Sequence, residues 1–428
     1  MSVWTPKIFS LPRPTPRKKR SGLYKLWRSW CDEITTAGKW MVAALLLSGL
    51  GTVTVQVPIY QLFCGLAVIL VVSIVGGFMF FPSVTVTGSF PDRTTTGLDA
   101  VGQLTVKNKS WFRPAFDVNI GLFDMPNGLS ENSRETTIRQ LKVGESENVA
   151  VSIHAHRRGM YALPLLRAYT SFPFNLFRIG RPIRSMDSLL VLPSFHPLLS
   201  VDIPVGSRYQ PGGIALTSHI GESAEYIGNR EYIPGEPARR MDFRSWARLG
   251  KPVVREFQEE YYCRIALILD TWIPKSSRPS RKAPAAGFPQ LEAAISLAAS
   301  ASDALSSGEY LVDLFAAGPE LYAFQAGRHT AHFENILEIL ACVEPCEADP
   351  FDTVAPVVTE ELQNISTAIC ILLGWDEARK QLMQSIREAG CSLNVIIVSD
   401  QEPPDIADDF DFVHLLPEQI ESGLIESL

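Results

Sequence analysis

Residues 228–248, GNREYIPGEPARRMDFRSWAR, carry opposite charges around Pro-Gly turns and aromatic side chains. Pro234-Gly235 predicts a turn, Pro237 suits the first position of a helix, and Gly250 suits the residue just past its end. The segment therefore predicts a short helix with one apolar stripe that faces inward. The residues of this stripe, at i, i+3, i+4 and i+7, are Phe243, Trp246, Ala247 and Gly250.

Charged residues of the same segment form the candidate interaction site. Arg240, Arg244 and Arg248 follow one another at i+4 steps on a second face of the predicted helix, and Arg239 and Asp242 are spaced to pair at i, i+3. We expect a solvated or partner-facing patch. The candidate partner-binding residues are Arg230, Glu231, Tyr232, Arg239, Arg240, Asp242, Arg244, Arg248, Arg255 and Glu256.

The sequence gives weaker support to two other functions of this patch, catalysis and nucleic-acid binding. The carboxylates of Glu231, Glu236 and Asp242 could perform acid–base catalysis, but neighbouring arginines lower a carboxylate's pKa and favour salt bridges. The arginines could bind nucleic-acid phosphates beside Trp246, but Trp246 belongs to the apolar stripe and the chain has a net charge of -7. We expect no nucleic-acid partner and keep catalysis by the carboxylates as an alternative.

The segment resembles the signature of a bacterial family, the domain of unknown function 58 family. That signature has Arg-Glu-Tyr, Pro-Gly, Arg-Arg-x-Asp-Trp and Arg-Glu-Phe in this order, and the chain departs from it at Phe243, where the family usually has Trp. The resemblance extends upstream through residues 157–161 and 171–177 and covers roughly residues 80–428. It implies a von Willebrand factor A-like C-terminal half and association with a MoxR-type AAA+ ATPase, rather than a defined reaction.

The region from Trp40 to Pro91 contains no Asp, Glu, Lys or Arg. It holds two apolar runs, residues 40–57 and 59–81, which Pro58 separates, and each is near the ~20 residues that a membrane-spanning helix needs. We predict a transmembrane helical hairpin, with a single span after an interfacial segment as the alternative. The basic residues before it predict a cytoplasmic N-terminus, and two spans return the chain to the same side. The expected location is the bacterial inner membrane, with both termini cytoplasmic.

Alternating apolar and polar residues predict strands between residues 83 and about 193. Three such runs are residues 84–87, 103–106 and 149–153, and Asn, Gly and Pro separate them. Strands of this kind pack face to face, so the region predicts a small β-sandwich.

Strand and helix patterns alternate from Ile265 onward, which predicts a Rossmann-type parallel sheet flanked by helices on both faces. The predicted strands are residues 265–269, 310–316, 367–373 and 393–398. The predicted helices are residues 290–307, 376–389 and a helix near 333–342.

A metal site is expected to be degenerate in this half. In a von Willebrand factor A-like domain the first strand ends in Asp-x-Ser-x-Ser, whose oxygens hold Mg²⁺ or Mn²⁺. The matching residues here are Asp270-Thr271-Trp272-Ile273-Pro274, so only Asp270 of that motif remains. We therefore expect no metal and no cofactor, and we keep a metal-dependent adhesion protein as an alternative.

Motifs of the common enzyme classes are absent from the sequence. It contains no GxxxxGK[ST], HExxH, GxSxG or CxxC, and no GxGxxG after a predicted strand. Its seven cysteines are scattered and odd in number, which indicates reduced thiols. We therefore expect a protein that is not an enzyme.

The whole chain is predicted as a membrane-anchored α/β plus all-β protein. Its expected segments are a basic cytoplasmic tail (1–38), two transmembrane helices (39–82), a β-sandwich (83–196), the fingerprint segment (197–262) and the von Willebrand factor A-like domain (263–428). The expected function is a scaffold or adaptor that works with a MoxR-type AAA+ ATPase on the cytoplasmic face of the membrane. Other envelope proteins are possible further partners.

Overall fold

The computed structural model describes residues 33–51, 57–123, 125–132, 137–184, 188–202, 226–234, 241–257, 263–273, 287–307, 310–317, 321–324, 332–346, 351–361, 365–401 and 410–428. Residues 1–32 of the predicted basic tail lie outside these ranges, and so do Arg239, Arg240 and Pro274.

Two apolar helices precede the strands: α1 (Thr36–Gly51) and α2 (Val57–Met79). In α2, Pro58–Met79 is 22 residues long and contains a stretch with a mean hydropathy of 2.6, so it is long and apolar enough to cross a membrane. The 16 residues of α1 rise only ~24 Å, below the ~30 Å of a hydrocarbon core. The described residues thus contain one helix of spanning length, and the two-span anchor stays a prediction.

The strands that follow form a sandwich-like part. Their ranges are β1 Val84–Ser89, β2 Arg93–Thr95, β3 Asp99–Asn108, β4 Ala115–Leu122, β5 Leu129–Glu131, β6 Ile138–Leu141, β7 Ser146–Ala155, β8 Gly159–Ala162, β9 Leu166–Thr170, β10 Ile179–Arg184 and β11 Ser188–Leu192. The described strands form sheets of order β1-β3-β7-β5, β10-β9-β4-β6 and β2-β11-β8. Along β3 buried and solvent-facing residues alternate, and Leu104 and Val106 point into a core shared with Val118 and Ile153. The predicted sandwich is confirmed at this level of detail.

The described residues of the fingerprint segment include a two-stranded ribbon and a short helix. Strand β12 (Tyr226–Glu231) pairs antiparallel with β13 (Val253–Phe257), and α3 (Phe243–Leu249) lies between them in the chain.

The C-terminal part is an α/β unit. Its elements are β14 Cys263–Leu269, α4 Pro289–Ser306, β15 Tyr310–Ala317, β16 Leu321–Phe324, α5 His332–Cys342, α6 Phe351–Glu361, β17 Thr367–Leu372, α7 Glu377–Glu388, β18 Ser392–Val398, β19 Phe412–Leu415 and α8 Pro417–Glu421. The described strands form a six-stranded sheet of order β16-β15-β14-β17-β18-β19, in which β16 is antiparallel to its neighbour and the others run parallel. The elements predicted from the sequence are confirmed.

Helices cover both faces of this sheet. Alternate residues of its central strand are therefore buried on opposite sides. Ile265 and Leu267 of β14 pack in one core with α4 and α5, whereas Ala266 and Ile268 pack in a second core with α6 and α7. A strand that is buried on both faces has a continuous apolar sequence, which explains the run from Ile265 to Leu269.

The helices contact the sandwich through residues 171–177, one of the two upstream elements of the family resemblance. The Thr35 hydroxyl donates to the carbonyl of Asn175 at 2.5 Å, and the Thr35 amide donates to the carbonyl of Leu176 at 3.1 Å. A β-carbon at Gly38 would overlap the Leu176 carbonyl oxygen, so this close approach of α1 requires glycine.

Candidate functional site

The fingerprint helix begins later than the sequence predicts. Residues 235–240 lie outside the described ranges, but Met241 forms an antiparallel bridge with Val254, and the Asp242 amide donates to the carbonyl of Val253 at 3.0 Å. Met241 and Asp242 therefore run alongside β13, and α3 starts at Phe243. Pro237, the predicted first helical position, lies outside the described residues, and pairing with β13 keeps Met241 and Asp242 out of the helix.

Asp242 is the N-cap of α3 and the centre of a polar network. Its Oδ1 accepts from the amides of Arg244 and Ser245 at 3.1 and 3.2 Å. Its Oδ2 accepts from the Ser245 hydroxyl at 2.7 Å and from the Asn229 amide group at 3.1 Å. The Ser245 hydroxyl, with these other donors, lowers the pKa of Asp242 to about 2. Asp242 is thus an ionised cap at neutral pH, which does not suit a general base.

This network determines which face of α3 points inward. Ser245 is buried, whereas Phe243 and Leu249 expose 63% and 52% of their surface and Trp246 is half-buried. The predicted inward stripe of Phe243, Trp246, Ala247 and Gly250 is therefore wrong. The reason is that Asn229 of β12 binds both Asp242 and Ser245, so the polar side of the helix lies against the ribbon.

The apolar residues of α3 consequently stand beside its arginines on an outer surface. The rings of Phe243 and Trp246 stack with their centroids 6.1 Å apart. Arg244 and Arg248 are exposed. We call Phe243, Arg244, Trp246, Arg248 and Leu249 the outer face of α3.

The remaining predicted site residues line the ribbon. Glu231 lies 3.3 Å from the Lys251 ammonium group, and Arg255 lies 3.9 Å from Asp242. The Tyr232 amide donates to the carbonyl of Pro252, Arg230 faces Val254, and Glu256 pairs with Gly228. The structure therefore brings Asp242, Arg244, Arg248 and Arg255 around one helix. Arg239 and Arg240 lie outside the described residues.

Asp270, the predicted degenerate metal position, lies at the carboxyl end of β14 and is 1% exposed. Its Oδ1 accepts from the Trp272 amide at 2.9 Å, and its Oδ2 accepts from the Leu373 amide at 3.0 Å. The Arg379 guanidinium donates to the same Oδ2 from Nε at 3.0 Å and from Nη2 at 2.5 Å. Burial raises the pKa of Asp270, and the nearby charge of Arg379 opposes that shift.

These residues do not fit a divalent cation. Arg379, from the first turn of α7, is 2% exposed and supplies the positive charge that a metal would bring to Asp270. Its guanidinium lies 5.1 Å from the ring centroid of Trp272, the residue that replaces the first serine of the metal motif. Within the described ranges, no group of three or more His, Cys, Asp or Glu side chains is placed to hold a metal ion.

A second buried arginine, Arg158, joins the sandwich to the α/β unit. It follows β7, is 4% exposed, and donates from Nε to the carbonyl of Leu340 at 3.0 Å and from Nη2 to that of Val343 at 2.6 Å. Its third nitrogen forms an ion pair with Glu292 of α4. Arg158 belongs to the upstream element 157–161, and local spacing does not predict its partners because they lie 134 to 185 positions away in the chain.

Comparisons with known proteins concern mainly the C-terminal half. Residues 228–408 match the model of a family described as protein of unknown function DUF58. None of the curated proteins matches the chain. Among solved structures, a CARDB domain from Pyrococcus furiosus, determined in solution by NMR, is 17% identical and covers 26% of this chain and 95% of its own, with a TM-score of 0.17. That score is too low to support a fold argument. The upstream elements 157–161 and 171–177 precede the matched range.

Proposed function

We propose that this chain, whose residues 228–408 match the model of the DUF58 family, is a membrane-anchored adaptor that binds protein partners and catalyses no reaction. In this proposal the α1–α2 pair is the helical hairpin that anchors the chain, with both termini in the cytoplasm. The α/β unit is a von Willebrand factor A-like module without a metal. The length and hydropathy of Pro58–Met79 support the anchor, and the pairing of Asp270 with Arg379 supports the metal-free module.

The outer face of α3 is the observation that carries the proposal. Exposed aromatic and arginine side chains are the residue types that contribute most to protein–protein binding. The Asp242 network holds the helix on its ribbon, so little conformational entropy is lost when a partner docks. The partner class, a MoxR-type AAA+ ATPase, comes from the family resemblance of this same segment.

The test is capture of the partner from native membranes. The full chain with a C-terminal tag is solubilised in mild detergent with a non-hydrolysable ATP analogue, and captured proteins are identified by mass spectrometry. Arg244→Glu with Arg248→Glu reverses two charges on the outer face of α3, whereas Arg139→Glu reverses an exposed charge on β6 of the sandwich. We expect wild type and Arg139→Glu to capture an AAA+ ATPase, and the double variant to lose it by about tenfold or more.

Two other outcomes are informative. Capture of no ATPase by any form contradicts the proposed partner. Equal capture by the double variant and wild type keeps the partner and shows that the outer face of α3 is not its binding surface.

A further inference from the structure

The loop between β3 and β4 exposes two large aromatic side chains. Trp111 is 90% exposed and Phe112 is 65% exposed, and their rings lie nearly perpendicular with centroids 6.3 Å apart. The guanidinium of Arg113 lies 4.7 Å from the Phe112 ring centroid. Exposed aromatic pairs beside cations are uncommon on a surface that faces only water, so this loop indicates a binding surface.

This loop is attached to the end of α2. The Arg113 guanidinium donates to the carbonyl of Met79, the last residue of α2, at 2.9 Å. The Lys109 amide donates to the carbonyl of Ser83 at 2.9 Å, just before β1 begins. The aromatic pair is therefore held level with the end of the helix that is long and apolar enough to cross a membrane.

Positive charge surrounds the aromatic pair. Lys107, Lys109 and Arg113 are exposed. The turn between β6 and β7 lies at the same end of the sandwich, because the Asn108 amide donates to the carbonyl of Glu145 at 3.1 Å. The charged residues that this turn and the start of β7 add are Lys142, Glu145 and Glu147, so cations outnumber carboxylates at this end.

We propose that this end of the sandwich lies in the headgroup layer of the bilayer, with Trp111 and Phe112 inserted at the lipid interface. The inference rests on the proposed membrane anchor, since α2 brings the loop to the lipid. Tryptophan is enriched at the boundary between hydrocarbon and water, and lysine and arginine near that boundary attract anionic headgroups. The continuity of the loop with α2 favours lipid over a soluble protein as the occupant of this surface.

The test places a photocrosslinking residue, p-benzoylphenylalanine, at one position of the full chain in vesicles of phosphatidylcholine and phosphatidylglycerol. Three positions are compared: Trp111, Val68 in α2 and Leu98 before β3. Val68 and Leu98 are each 60% exposed. Leu98 precedes the opposite end of β3, roughly 33 Å from the loop by the rise of a ten-residue strand. After irradiation, we expect a lipid mass adduct at positions 68 and 111 and only background at 98.

Each other outcome overturns the inference. A lipid adduct at 68 without one at 111 shows that α2 is in the bilayer while the loop is not, which leaves the proposed anchor intact. Absence of adducts at both positions overturns the anchor as well. Equal lipid adducts at 98 and 111, or a protein dimer crosslinked through position 111, show that the loop has no selective contact with lipid.

Discussion

Arg379 carries a permanent positive charge into the interior of the α/β unit. Its guanidinium contacts Asp270 and Asp376 and lies 5.0 Å from the ring centroid of Phe351. A guanidinium is planar, stays charged when buried, and offers several donors at once, which suits it to two carboxylates and neighbouring rings. The charge beside Asp270 is thus covalently part of the chain and does not depend on ion concentration.

We expect Arg379→Met to lower the free energy of unfolding by about 3–5 kcal/mol, because Asp270 would remain buried without its partner. The control is Arg387→Met on the same helix, which is exposed and should cost less than about 1 kcal/mol. Urea unfolding of the full chain in detergent, followed by circular dichroism, measures both.

A further variant tests whether the loss of stability comes from the broken ion pair or from a general disruption of the packing. Adding Asp270→Asn to Arg379→Met removes the stranded charge and should recover part of the loss. Equal losses for Arg379→Met and Arg387→Met would contradict this account of the site.

At the scale of the element, α3 depends on its ends. It has seven residues, too few for an isolated helix to be stable in water. Asp242 caps its first turn, and at the other end Gly250 adopts φ 72° and donates its amide to the carbonyl of Trp246 at 2.9 Å. The outer face of α3 therefore keeps its geometry only while both caps and the Asn229 contact persist.

The cap of α3 should make that helix sensitive to acid. The pKa of Asp242 is lowered from 3.8 to about 2, so the folded state favours the carboxylate. Its stabilising effect is complete above about pH 4 and is lost as the pH falls to about 2. Hydrogen exchange of the Arg244–Arg248 amides, relative to the intrinsic rate at each pH, should show protection that decreases over this window.

Asp242→Asn is the matched variant, because asparagine caps a helix nearly as well but does not ionise here. Its protection should be below that of wild type at neutral pH, because the amide nitrogen that replaces Oδ2 cannot accept from Asn229, and it should be flat between pH 4 and 2. A decrease parallel to that of wild type would mean that another group causes the acid sensitivity.

Sequence patterns predict those helices and strands whose burial is visible in the spacing of their own apolar residues. The parallel strands are buried on both faces, so their apolar runs alone located them. The prediction of the inward face of α3 was wrong for two reasons. Asn229, which binds Asp242 and Ser245, lies in another element of the ribbon, and the helix has large side chains on more than one side. The pairing of Asp270 with Arg379 spans 109 positions, so local spacing could not reveal it. The signal that remained was a buried carboxylate at a strand end, which requires a cation.

At the scale of the whole molecule, the sandwich lies between the helices and the α/β unit. Residues 171–177 contact the start of α1, and Arg158 enters the α/β unit at the end of α5. Near the same junction, Arg93 forms two ion pairs with α5, one with Glu334 at 3.4 Å and one with Glu338 at 2.5 Å. The two upstream elements of the family resemblance therefore each join two parts of the chain.

We expect Arg158→Met to loosen this junction, because three hydrogen bonds to the α/β unit are lost together. Amide exchange at the end of α5, around Leu340 to Val343, should become about tenfold faster or more. Arg157→Met is the control: Arg157 is only half-buried, and its backbone carbonyl, which accepts from Tyr161, is unchanged by the substitution. Hydrogen exchange with mass spectrometry tests both, and similar exchange in the two variants would contradict the assignment of Arg158 to the junction.

Strand β3 extends from one of these junctions to the other. Its Asn108 end is level with the exit of α2, and its Asp99 end lies opposite His154, shortly before Arg158 enters the α/β unit. Ten residues of extended chain measure roughly 33 Å. With α2 in the bilayer, the sandwich would set a fixed standoff between the lipid and the α/β unit. A partner that is itself held at the membrane would then meet this protein within a thin layer at that height, and this confinement would raise the partner's effective concentration.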